Sequence, residues 1–250
     1  MTTHPSSADG LEGIVAAQSS ICTVDGQAGR LIYRGFDITD LANGSSFEEV
    51  AHLLWFGDLP TQAQLDRLRA ELAGTRALPT EVMQLLRRFP RDTDLMDVLR
   101  TAVSALGLYD PEANDHSREA NLRKAIRLTS RLATAVAAFK RLREGNEPVA
   151  PDRTLGHAAN FLYMLSDQAP NPDLAHIFDV ALILHADHEL NASTFAARVT
   201  AATLSDFYSA ITSAVGTLKG PLHGGANEQV MHMLLAIGSE DRVEPYIKAE

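Results

Sequence analysis

From about Ser46 onward the chain repeats one pattern, and that pattern restricts the fold to packed helices. Ser46 with Glu49 makes a capping box, in which a hydroxyl and a carboxylate satisfy the free N–H groups of a helix start. Phe47, Val50, Ala51 and Leu54 then share one helical face that ends near Gly57. Thr61 with Gln64 repeats the device, and Leu65, Leu68 and Leu72 form the stripe before Gly74. The same spacing predicts helices over Thr80–Phe89, Asp94–Leu108, Glu119–Glu144, Leu155–Leu165, Pro172–His185, Ser193–Ala202, Ser205–Thr217 and Asn227–Ile237, with another segment beginning at Glu244. Proline and glycine mark the breaks, at Phe89-Pro90, Asp110-Pro111, Gly145 to Pro151 and Ala169-Pro170. Several of these segments carry Ala and Leu on more than one face, which suits deep burial or packing against a second subunit. No period of 20–50 residues repeats, which argues against a solenoid.

A short stretch ahead of the helices reads differently. Ser20-Ile21-Cys22-Thr23-Val24 and Arg30-Leu31-Ile32-Tyr33 are β-rich and flank an Asp25-Gly26 turn signal, so a small hairpin with a loop longer than two residues is expected. The expected fold class is therefore all-α with one small N-terminal β-hairpin. Residues 1–10 read as a short disordered leader, without the basic start and apolar run of a signal peptide.

Composition narrows the function. Lys plus Arg is 22 against 32 Asp plus Glu in 250 residues, a net charge of −10, and no basic stripe offsets it, so nucleic acid is not an expected partner. The apolar fraction of 45% is that of a globular protein. Runs such as Val180–Leu184 are far too short to cross a membrane, so no membrane partner is expected. The single cysteine, Cys22, rules out a disulfide framework or a multi-cysteine metal site, and fits a reducing, cytoplasmic setting. In a strand it reads as a buried small apolar residue rather than a nucleophile.

Two clusters could carry chemistry. His185-Ala186-Asp187-His188-Glu189 follows the apolar Ala181-Leu182-Ile183-Leu184, and its two histidines stand three apart, which places them on one helical face. Such a patch reads as a structural helix end with solvated acids, as a metal site, or as a binder of an anionic substrate. The metal reading lacks the His-Glu-x-x-His spacing and any assisting cysteine. The second cluster, Gly220-Pro221-Leu222-His223-Gly224-Gly225-Ala226-Asn227, sets a histidine in a glycine-rich turn before a helix. There the backbone can approach a ligand, and the positive helix end favours a neutral imidazole able to donate to a carbonyl. A purely structural turn is the plain alternative. Lacking a Lys-Ser/Thr pair, the turn is a poor nucleotide site. His52, His116, His157, His176 and His232 read as structural or solvent-facing, and no Gly-x-Ser-x-Gly nucleophile is present.

Together these residues resemble the citrate synthase family, of the compact bacterial type. Three stretches carry the resemblance: Gly10–Ala17 with Gly29–Ile38 and Ser46–Val50, then His185–Glu189 with Asn191-Ala192-Ser193, then Gly220–Asn227. The resemblance implies condensation of acetyl-CoA with oxaloacetate to citrate and CoA, the entry step of the tricarboxylic acid cycle, with no permanently bound cofactor or metal. It makes His188 an oxaloacetate-binding residue and His223 the catalytic histidine that donates to the thioester carbonyl. It also implies a homodimer, with the helix ending at His185–His188 and the next one at the interface, where Ala196, Ala197, Ala201 and Ala202 offer a close-packing face. Residues 11–227 would form the helical large domain and residues 228–250 the start of a connection to a small domain. The family's base, its second catalytic histidine and its CoA site are expected beyond residue 250, so an incomplete, inactive portion is expected. The alternatives are 2-methylcitrate synthase, which uses propionyl-CoA, and a non-catalytic helical dimerisation or oxaloacetate-sensing protein.

Overall fold

The computed structural model describes residues 17–249, so the leader expected over residues 1–10 lies outside the described residues. Strands β1 (Cys22–Asp25) and β2 (Arg30–Tyr33) pair antiparallel with Cys22 opposite Tyr33 and Asp25 opposite Arg30. A third strand not foreseen from the sequence, β3 (Phe36–Asp37), adds to β2 with Tyr33 opposite Phe36. The two residues between them, Arg34 and Gly35, both take positive φ, at 50° and 93°. That left-handed pair is what a tight two-residue hairpin turn requires.

Twelve α-helices follow among the described residues. Helix α1 (Ile38–Gly44) was also unforeseen, being only seven residues and capped by Asp37, whose side chain accepts the Thr39 N–H. Helices α2 (Phe47–Phe56) and α3 (Gln62–Thr75) start on the two expected capping boxes. α2 stops at Gly57 in the left-handed conformation (φ 101°). Next come α4 (Thr80–Arg88), α5 (Leu95–Leu108), α6 (Arg118–Arg143), α7 (His157–Ser166), α8 (Pro172–Leu184), α9 (Ala192–Ala202), α10 (Phe207–Leu218), α11 (Gly225–Ile237) and α12 (Val243–Ala249). Helix α6 is the spine. Its faces bury Ile126, Leu128, Ala135, Ala138 and Phe139 against residues of α3, α4, α5 and α10.

The two larger cores on α6 are one around Val82, Val103, Leu106, Leu128 and Tyr208 and one around Leu86, Val98, Ala135 and Phe139. Buried polar groups tie the first. The Tyr208 hydroxyl donates to Asp110, which also pairs with Arg127 at 2.7 Å. Burial alone would raise the Asp110 carboxyl, but these donors and the Glu112 N–H outweigh it and hold it below the usual range. A third core joins the sheet to α8 through Cys22, Tyr33, Leu41, Val50, Leu53 and Ile183. Cys22 is buried as expected, and burial pushes its thiol up to about 11.

Candidate active site

Helix α8 ends at Leu184, so His185 and His188 do not share a helical face; the expected continuation through His185 is corrected here. His185 caps the helix: its N–H still reaches the Ala181 oxygen at 3.2 Å, but the next N–H, on Ala186, turns back to the Ile183 oxygen at 3.2 Å instead of continuing the ladder. The carbonyls left over at the helix end find Tyr33. Its hydroxyl, on a fully buried ring, lies 3.2 Å from the Ile183 oxygen and 2.9 Å from the Asp187 oxygen, and 3.2 Å from the Asp187 N–H. Burial pushes that hydroxyl up to about 12, so it stays protonated and able to donate at neutral pH.

The next residues bend the chain back. Glu189 adopts φ 57°, and its Oε1 accepts the Val24 N–H at 2.6 Å, so strand β1 holds the loop from the other side. Asp187 Oδ1 accepts the Glu189 N–H at 3.0 Å. Asn191 then caps α9 by accepting the Thr194 N–H. His188 is thus carried on a short loop pinned at both ends to the small sheet, and both His185 and His188 are exposed.

The glycine-rich turn forms where it was expected. His223 N–H donates to the Gly220 oxygen at 2.9 Å and Gly224 N–H to the Leu218 oxygen at 3.0 Å. A Cβ on residue 224 would stand 2.3 Å from the Leu218 oxygen, so only glycine fits. Helix α11 starts at once after it with no side-chain cap, and its first N–H, on Gly225, bonds back to the Gly220 oxygen at 3.3 Å. His223 is half-buried, and its Nε2 lies 2.8 Å from Ser193 Oγ on the first turn of α9. That hydroxyl is also 3.0 Å from the Ala214 oxygen. The carbonyl can only accept, so with the hydroxyl donating to Ala214 the second contact is His223 Nε2–H donating to Ser193 Oγ; a hydroxyl turned to Nε2 instead leaves the imidazole proton on Nδ1.

The three stretches marked in the sequence are therefore joined in space through named contacts. Tyr33 of the first touches Asp187 of the second, and Ser193 of the second touches His223 of the third. The clamps Tyr33 and Glu189 and the bridging role of Ser193 were not read from the sequence; the signal available was a tyrosine closing the second strand. The other histidines fall in structural places. His52 is buried with Nδ1 2.9 Å from the Asp58 oxygen, and His232 is exposed beside Glu228.

Comparison with known proteins gives the family. The family profile described as "Citrate synthase, C-terminal domain" matches residues 10–250. This chain belongs to the citrate synthase family. It is 52% identical over 236 residues to the citrate synthase of Haloferax volcanii, covering 93% of this chain and 62% of that protein. To the 2-methylcitrate synthase of Mycobacterium tuberculosis it is 44% identical over 247 residues, again across 62% of that protein. The crystal structure of the Thermoplasma acidophilum citrate synthase, solved as a ternary complex with carboxymethyl coenzyme A and oxaloacetate, superposes with a TM-score of 0.87 at 28% identity, over 95% of this chain and 62% of that one. The chain thus spans somewhat under two thirds of the length of these relatives. Among the described residues no helix is long and apolar enough to cross a membrane.

Proposed function

We propose that this chain supplies part of the active site for condensing acetyl-CoA with oxaloacetate, with His223 as a catalytic residue and His188 as an oxaloacetate ligand. The observation that carries the reading is the 2.8 Å contact between Ser193 Oγ and His223 Nε2. It fixes an imidazole on the turn that opens α11, at the positive end of a helix, which suits an enolate-like oxygen developing on a thioester. The chemistry needs a hydrogen-bond donor at that oxygen while the methyl group loses its proton. A neutral His223 provides it from Nδ1 once the Ser193 hydroxyl turns from the Ala214 oxygen to Nε2. The exposed His188, three residues before the α9 cap, is placed for a soluble dicarboxylate and can hydrogen-bond a carboxylate oxygen.

Titration calorimetry with oxaloacetate tests the first role: His188→Ala is expected to weaken binding by at least about tenfold, and unchanged affinity would overturn it. Release of CoA thiol from acetyl-CoA plus oxaloacetate tests the second and shows whether these 250 residues suffice. Where turnover is present, His223→Ala should lower it roughly 10²–10⁴-fold with little effect on oxaloacetate affinity. Acetyl-CoA is preferred to propionyl-CoA as the co-substrate in this reading because the citrate synthase relative is the more similar one, 52% against 44%.

The assembly proposed is a homodimer with the end of α8 and α9 at the interface, in a cytoplasmic protein. Exposed apolar residues there support it, with Leu184 44%, Phe195 38% and Val199 53% exposed, beside exposed Ala201 and Ala202. A monodisperse monomer in light scattering at micromolar concentration would count against it.

A further inference from the structure

A second polar cleft, of about 500 Å³, lies between the starts of α2 and α7, the second half of α3 and the first half of α8. It sits on the opposite end of α8 from the His185 loop. Helix α7 opens onto it at Gly156, with no acidic residue in its own first turn and only Glu48 of α2 as a side-chain acceptor at its start. The first N–H of that helix, on His157, donates to Glu48 Oε1 at 2.8 Å. The next two, on Ala158 and Ala159, have no acceptor among the described residues, and both alanines line the cleft.

Two buried wall residues also carry nitrogens without a partner. Arg76 is 2% exposed and spends its two terminal nitrogens on the carbonyls of Asp152 and Leu155, leaving Nε without a partner. His157 is 6% exposed and its Nδ1 has none either. At the rim stand Arg69, which reaches only the Ser46 hydroxyl at 3.1 Å, and Arg153, which pairs with no acid among the described residues. The two carboxylates of the cleft are committed to backbone, Glu48 to the His157 N–H and Asp179 to the Phe47 N–H at 3.0 Å. Among the described residues no ion pair joins either to Arg69, Arg76 or Arg153. Three guanidinium groups therefore face two carboxylates already in use, around a helix end with donors to spare.

We propose that this cleft binds a small oxyanion, the phosphate or carboxylate group of a metabolite, on the N–H groups of Ala158 and Ala159 between Arg69 and Arg153. Guanidinium forks and helix N-terminal amides are complementary to both groups through the same paired oxygens. The rim arginines are exposed, so replacing them leaves packing untouched.

The test is titration calorimetry of the 250-residue chain at pH 7.5 and fixed ionic strength, once with inorganic phosphate and once with acetate, a monocarboxylate unlike the dicarboxylate proposed for His188. Saturable one-site binding of at least one anion is expected, and the one that binds more tightly identifies the headgroup. The double substitution Arg69→Gln with Arg153→Gln is expected to weaken it by about tenfold or more, without shifting the thermal midpoint of the free protein. Arg198→Gln, an exposed arginine on α9, should leave the affinity unchanged. An equal loss in that control would reduce the effect to overall charge and overturn the site. So would no saturation by about 10 mM of either anion, or full binding in the double variant.

Discussion

Helices α6 and α9 begin alike and end up in opposite situations. Each is opened by a polar cap, Ser117 accepting the Ala120 N–H and Asn191 accepting the Thr194 N–H. Yet α6 buries Ile126, Leu128, Ala135, Phe139 and Leu142 among others, whereas α9 buries no residue at all. Its apolar Phe195 and Val199 stay 38% and 53% exposed, and Leu234 and Leu235 of α11 are at 51% and 73%. Apolar residues at helical spacing thus state which face wants cover, not which face has it. Within this chain α6 is stabilised by packing, while α9 rests on its cap and on α10, and presents apolar surface outward.

The largest effect should come from the covered region. Leu106 is 1% exposed and packs with Val82, Val103, Leu128 and Tyr208 where α4, α5, α6 and α10 meet. Leu106→Ala is expected to cost about 2–5 kcal/mol, since the tightly held neighbours cannot close the cavity. A loss of less than about 0.5 kcal/mol in the unfolding free energy from urea titration would break the comparison at its strongest point.

The join between sheet and helix comes next. Tyr33→Phe keeps the ring and removes the hydroxyl that serves the α8 end and Asp187. A loss of roughly 1–3 kcal/mol is expected, because buried backbone groups are left without a partner. A structural clamp should also act on the loop it holds. The variant is therefore expected to weaken oxaloacetate binding as well as stability, whereas an equal loss of stability from Leu106→Ala should leave binding of the folded fraction intact. Stability loss without any change in affinity would show that the clamp does not place His188.

How much of this was legible follows from where each signal is stored. Helices α2 and α3 could be read because their caps lie three residues apart in sequence, Ser46 with Glu49 and Thr61 with Gln64. The hairpin could be read as far as Tyr33, but β3 depends on Arg34 accepting a positive φ, which composition does not announce. The glycine-rich turn was visible as a turn because its constraints are local, down to Gly224 against Leu218. The end of α8 was misplaced by one residue, and His185 with it, because the group that completes the helix end is Tyr33, about 150 residues away. The pairing of Ser193 with His223 and the commitment of Glu48 to α7 are long-range in the same way, with separations of 30 and 109 residues.

A smaller effect is expected at Asp179, where burial pushes the carboxyl up to about 6 from 3.8. The folded chain holds that proton in a range where the unfolded chain has released it, so this group makes stability fall as the pH rises from about 4 to about 6. Asp179→Asn keeps an acceptor for the Phe47 N–H and cannot ionise. It should raise the thermal midpoint above pH 6, with the gain fading to nothing below about pH 4. His157, held down at about 4 by burial, acts in the opposite sense but equally in both proteins, so it cancels in the difference. A gain of the same size at every pH would assign the effect to packing instead.

The smallest effect is the one that most sharpens the contrast between α6 and α9. Leu235→Ala removes the same atoms as Leu106→Ala from a side chain that is 73% exposed, and should change the stability of the monomer by less than about 0.5 kcal/mol. Val199→Ala on α9 should behave alike when the protein is dilute. If α9 lies at a dimer interface, the two conditions separate. Covering Val199 with a second subunit turns an exposed residue into a buried one, so the substitution should then weaken association and lower the midpoint more as concentration rises. Leu106→Ala should cost the same at every concentration. A concentration-independent midpoint for Val199→Ala, equal to that of the parent, would leave the outward face of α9 as exposed surface and assign the covering to some other helix.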